Sequence, residues 1–144
     1  MINNIRHTGV VVSDVDKSLE FYCDLLGFAV EKDLDEHGNY LDLFLGMQDV
    51  RVRTIKLSLK GRVSLELLSF ADPYRREGPA LELNNIGCTH IAMTVADLDR
   101  LYSQLSEKGV QFNNPPAVSE DGRAKVAFCQ DPDGTYLELV EELL

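Results

Sequence analysis

His7 and His90 each lead into a short apolar run, and each half of the chain later offers a glutamate inside an apolar strand, Glu66 and Glu138. Imidazole nitrogen and carboxylate oxygen suit Zn, Ni, Co, Mn or Fe(II), and four such ligands on a six-coordinate ion leave two positions for substrate oxygens. The first stretch runs His7-Thr8-Gly9-Val10-Val11-Val12-Ser13-Asp14-Val15-Asp16, the second His90-Ile91-Ala92-Met93-Thr94-Val95-Ala96-Asp97-Leu98-Asp99. Aspartates fall seven and nine residues after the histidine in both. The likeness continues through Leu19, Phe21, Tyr22, Leu26 and Gly27 on one side and Leu101, Tyr102, Leu105 and Gly109 on the other. One unit is present twice, with the candidate ligands at matching places.

Strand alternation supports the same four residues, because side chains two apart share a face. His7 falls with Gly9 and Val11, and His90 with Ala92 and Thr94; the opposite faces are greasier. Glu66 lies opposite Val63, Leu65 and Leu67, and Glu138 opposite Leu137 and Leu139. Gly9 and Ala92 keep the space beside each histidine small-sided and open to a substrate. A carboxylate in an apolar strand costs several kcal/mol unless paired or coordinated, and a metal would offset that for both glutamates. The alternative is that all four are ordinary half-exposed strand residues, which is the usual state of each type taken singly. His37, in the polar run Asp35-Glu36-His37-Gly38-Asn39, has no counterpart and reads as surface.

The elements that must position these residues form two modules. Val10–Val12 reads as a strand, Ser13-Asp14 as a helix N-cap, and Val15, Leu19, Tyr22 and Leu26 line one helical face that Gly27 ends. Phe28–Lys32, Arg51–Leu59 and Val63–Phe70 read as strands, with residues 33–49 an irregular insertion. In the second half a helix carrying Leu98, Leu101, Tyr102 and Leu105 ends at Gly109. Strands follow over Gln111–Val118, interrupted by Pro115-Pro116, over Lys125–Gln130 and over Tyr136–Glu141. Turns at Glu120-Asp121-Gly122 and Asp131-Pro132-Asp133-Gly134 separate them. The expected fold is α+β, two tandem βαβββ modules whose four candidate ligands can point into one cavity. They span residues 1–70 and 90–144 of a single domain, joined by the Pro- and Gly-bearing linker 71–89.

Composition narrows the function. At 144 residues and 44% apolar content the chain can bury a sizeable core. A net charge of -10 disfavours nucleic acid and anionic membrane surfaces and leaves a small-molecule substrate as the expected partner. The run Met1-Ile2-Asn3-Asn4-Ile5-Arg6 lacks the regions of a secretion signal, and no stretch is apolar for the length of a membrane span, so a cytoplasmic protein is expected. Cys23, Cys88 and Cys129 have no metal or redox spacing and read as isolated thiols. Arg51 and Arg53, with Arg75 and Arg76, either hold an anionic substrate tail or are solvated side chains at a strand edge and in a loop.

The chain resembles the vicinal oxygen chelate superfamily, which includes glyoxalase I, methylmalonyl-CoA epimerase, extradiol dioxygenases, and fosfomycin- and bleomycin-resistance proteins. The resemblance rests on His7 leading into Ser13-Asp14-Val15-Asp16, then Phe21-Tyr22, Leu26-Gly27-Phe28 and Leu65-Glu66-Leu67-Leu68. Its second half rests on His90-Ile91-Ala92, Phe128, Asp131-Pro132-Asp133-Gly134 and Tyr136-Leu137-Glu138-Leu139-Val140. It implies tandem βαβββ modules forming curved sheets around a metal-binding cavity, with His7, Glu66, His90 and Glu138 as metal ligands, a set most similar to bacterial-type glyoxalase I. It further implies a divalent-metal lyase or isomerase that moves a proton α to a carbonyl, with Glu138 and Glu66 as candidate bases, and a homodimer. Bacterial-type glyoxalase I carries an arginine soon after the first histidine that helps hold glutathione; Gly9-Val10-Val11-Val12 has none. Two other activities belong to the same resemblance: Fe(II) ring-opening dioxygenation using His7, His90 and Glu138, and metal-free sequestration of a drug-like molecule.

Overall fold

The computed structural model describes residues 1–143. In chain order the elements are β1 (Thr8–Val11), α1 (Val15–Leu19) running on as a π-helical segment (Glu20–Leu25), β2 (Ala29–His37), α2 (Asn39–Leu45), β3 (Arg51–Leu59) and β4 (Arg62–Phe70). The second half has β5 (His90–Thr94), α3 (Leu98–Glu107), β6 (Ala117–Val118), β7 (Ala124–Gln130) and β8 (Tyr136–Glu142). Each half makes a four-stranded sheet, ordered β1-β4-β3-β2 and β5-β8-β7-β6. In each, the first strand runs parallel to the last and the remaining pairs are antiparallel. The expected α+β architecture of paired βαβββ units is therefore present. The chain divides into compact units at Gly78 and Pro79; residue 144, the end of the expected second module, lies outside the described residues.

Repeat-matched aspartates start the helices. Asp14 accepts a hydrogen bond from the Lys17 amide at 3.2 Å and Asp97 from the Arg100 amide at 3.0 Å, each satisfying an otherwise orphaned donor of the first turn. Past Leu19 the first helix widens into the π form. Phe21 and Tyr22 are buried, and Tyr22 meets Phe28 edge-on with ring centroids 6.1 Å apart. Ile55 and Leu57, on the sheet face that also carries Arg53, are buried. Val10, Val12, Leu65 and Leu67 are buried as well.

Two expectations need correction. The insertion after Lys32 is not irregular: β2 continues to His37, and α2 follows, ended by Gly46 at φ 67°. Alternation in 33–37 was obscured by four charged or polar residues among five, Leu34 excepted, because an edge strand keeps both faces partly wet. Leu41 and Leu45 of α2 then pack against Val50, Val52, Leu68 and Phe70. The second strand of the second half is shorter than expected, since Pro115 and Pro116 offer no amide to a ladder; only Ala117 and Val118 pair, with an isolated bridge from Phe112 to Cys129.

The β3–β4 hairpin turns through Lys60 and Gly61, both at positive φ (51° and 76°), as a two-residue turn requires. Pairing starts as Leu59↔Arg62 and Ser58↔Val63, then jumps to Leu57↔Leu65 and Lys56↔Glu66. Ser64 is thus the extra residue of a β-bulge. Without it Lys56 would oppose Leu65, and Glu66 would stand on the opposite, buried face beside Ile55. β2 has its own bulge at Glu31, between Val30↔Leu57 and Lys32↔Lys56.

Candidate metal centre

Directly opposed residues on neighbouring strands project from the same face. Across the first sheet, register aligns Gly9, Glu66, Lys56 and Lys32 in one row. Across the second it aligns Ala92, Glu138 and Phe128. Each histidine lies two residues before the small residue of its row, on the same face.

The side chains meet as those rows require. In the first unit His7 Nε2 lies 3.5 Å from Glu66 Oε1, with the two side chains 28% and 14% exposed. In the second, His90 Nε2 lies 3.1 Å from Glu138 Oε2, at 46% and 25% exposure. Two donors bound about 2.1 Å from one ion sit roughly 3.0–3.4 Å apart in octahedral or tetrahedral geometry, so each pair is spaced close to two neighbouring ligands of a divalent ion. The donor chemistry fits too, with neutral imidazole and carboxylate and no thiolate. Among the described residues no group of three or more His, Cys, Asp or Glu side chains is gathered; each unit supplies a pair.

Those distances soften one expectation. Neither glutamate is stranded in apolar surroundings, since both keep some solvent contact and each has its own histidine as a partner. The carboxylates are tolerable with or without a metal.

The two pairs differ in what flanks them. Lys56 Nζ stands 3.5 Å from Glu66 Oε2, so both oxygens of that carboxylate face a nitrogen. At the matching place of the second sheet is Phe128, whose ring meets the His90 imidazole edge-on, centroids 5.3 Å apart at 79°. Among the described residues Glu138 has no lysine or arginine partner. Sequence reasoning named Phe128 only as part of a motif and missed Lys56 altogether. The available signal was a lysine flanked by Ile55 and Leu57 within Arg51–Leu59, but its facing residue depends on the bulge at Ser64.

The arginines considered for an anionic tail lie elsewhere. Arg53 projects from the opposite face and donates to Asp33 through Nε at 2.9 Å and through a terminal nitrogen at 2.7 Å. This hydrogen bonding holds the Asp33 carboxyl below its ordinary value and raises the guanidinium. Arg75 reaches Glu77 at 4.0 Å. His37 and Arg51 line a cleft of about 530 Å³ at the far end of the first sheet, with Glu36, Ser69 and Phe70. His37 is exposed, as expected of a surface residue.

Two βαβββ units, each with a histidine at the entry to its first strand (His7 just before β1, His90 opening β5) and a glutamate in its last, define the glyoxalase type of fold. Residues 4–139 match the Glyoxalase/Bleomycin resistance protein/Dioxygenase superfamily, and the chain belongs to that family. Among curated relatives it is 32% identical over 144 residues to the uncharacterized protein YwkD of Bacillus subtilis, covering 99% of both chains. It is also 32% identical over 138 residues to a probable lactoylglutathione lyase of Synechocystis, covering 95% of this chain and 94% of that one. A crystal structure of a glyoxalase family protein from Bacillus cereus superposes with a TM-score of 0.90 over 100% of this chain and 97% of the other, at 20% identity. No helix among the described residues is long and apolar enough to cross a membrane.

Proposed function

We propose that the chain is a divalent-metal-dependent lyase or isomerase of the glyoxalase or epimerase type, acting on a small molecule by moving a proton α to a carbonyl. The observation that carries this reading is the pair of His–Glu contacts at repeat-matched positions, spaced as neighbouring ligands of one ion. His7 and Glu66 from one unit and His90 and Glu138 from the other complete the ligand set, within one chain or across a homodimer in the cytoplasm. A divalent ion held there, Zn, Ni, Co, Mn or Fe(II), supplies Lewis acidity toward substrate oxygens.

The protein's own groups divide the remaining work. Glu138 is the better base, because no basic side chain other than His90 stands on it among the described residues, whereas Glu66 is held between His7 and Lys56. Gly9 and Ala92 leave room at the rows for the carbon that loses its proton. Phe128 supports the His90 ring and offers an apolar wall.

Metal analysis of the purified protein by inductively coupled plasma mass spectrometry, beside His7→Ala and His90→Ala, tests the reading. The expected result is about one transition-metal ion per chain in the wild type, reduced by each substitution. Wild-type protein that takes up none of the five metals would overturn it. That result would favour the sequestration reading, which the self-satisfied His–Glu pairs allow. Turnover confined to Fe(II) with O₂ would select ring-opening oxygenation.

A further inference from the structure

Lys56 sits where the fold does not ask for a cation. Its β3 neighbours Val52, Thr54, Ile55, Leu57 and Ser58 are each at most 4% exposed, and burying a lysine stem among them restricts a flexible side chain. The second unit builds the same strand arrangement with Phe128 at the corresponding place, so pairing and curvature do not require the charge. What the lysine does have is a position, 3.5 Å from the free oxygen of Glu66 and 29% exposed on the His7 face. Lys32 is its cross-strand partner in the same row.

Resting on the reading above, we propose that Lys56 is a specificity-determining residue: it selects a substrate that bears a carboxylate next to its metal-chelating oxygen, as 2-hydroxy and 2-oxo acids do. Two glutamates would neutralise a divalent ion, so once Glu66 is committed to it the Lys56 ammonium loses its carboxylate partner and leaves positive charge on the face it shares with Lys32. An anionic oxygen chelator cancels that charge, and a neutral one does not. The absent arginine after His7 fits the same division of labour. The anion is received from β3, and the cation arises from the strand facing Glu66 rather than from the strand after the histidine.

Competition for Glu66 gives the inference a reading independent of turnover. Lys56 and a metal ion both draw on that carboxylate, so removing the ammonium affects metal and anion in opposite directions. Isothermal titration of the full chain with Zn²⁺, and of the Zn²⁺-loaded protein with oxalate, is run on the wild type, Lys56→Met, Lys56→Gln and Lys56→Arg. The neutral variants are expected to hold Zn²⁺ severalfold more tightly and oxalate about tenfold more weakly, with Lys56→Arg recovering most of the oxalate affinity. Unchanged oxalate affinity in both neutral variants would overturn the proposal and leave the metal centre standing. A wild type that binds no Zn²⁺ or other divalent ion would overturn both.

Discussion

Glu66 and Glu138 are the same residue type at the same place in a repeat, yet their surroundings differ. Glu66 answers to two nitrogens and Glu138 to one. Glu138→Gln should therefore lower proton transfer per bound metal by about 10²–10⁴-fold, the range expected for loss of a general base, beyond any fall in metal content from loss of a ligand. The check is solvent-deuterium exchange α to the carbonyl of a bound substrate, followed by NMR beside metal analysis. A second consequence concerns Cys129, which has no exposed surface. Burial, reinforced by Asp131, pushes its thiol up to about 12. The folded state thus keeps the proton through the window from the ordinary thiol value to that raised one, and thiolate is scarce at pH 9. Iodoacetamide at pH 9 should leave Cys129 unmodified in the native protein and modify it in denaturant, as peptide mass spectrometry would read.

Single turns govern how the strands are presented. Asp131, only 5% exposed, accepts hydrogen bonds from the Asp133 amide at 3.0 Å and the Thr135 amide at 2.7 Å, closing the turn that leads Tyr136 and Glu138 into β8. Asp131→Ala strands two amides and should cost about 1–3 kcal/mol in chemical denaturation. Asp14→Ala and Asp97→Ala remove one cap each and should cost about 1 kcal/mol. The Asp33–Arg53 pair on the edge of the first sheet is weaker, because both side chains are some 40% exposed (42% and 39%). The Asp33 carboxyl titrates lower when folded than when unfolded. Its contribution is present at neutral pH and lost as pH falls through that lowered value.

For the whole molecule the decisive quantity is metal stoichiometry. If both units serve one ion, His7→Ala and His90→Ala should each abolish metal stabilisation, not halve it. At a free metal concentration about 100 times Kd, the wild type should gain about 2.7 kcal/mol, roughly 5–10 °C in Tm for a chain of this size. Differential scanning fluorimetry with and without Zn²⁺ reads this directly. The net charge of -10 favours cation uptake generally, so Mg²⁺ serves as the control and should not reproduce the shift.

Sequence alone determined the duplicated βαβββ plan, the first helix cap at Ser13-Asp14, and the four candidate ligands. Each of these follows from local spacing: two residues per face along a strand, a polar cap before a helical stripe, a histidine and a glutamate at matching offsets. Tertiary structure decided which residues stand next to those ligands. A side chain's facing partner depends on register between strands, and one unpaired residue at Ser64 reverses the face of everything beyond it. Lys56 beside Glu66 and Phe128 beside His90 are therefore products of pairing, and they make two sequence-equivalent half-sites chemically different.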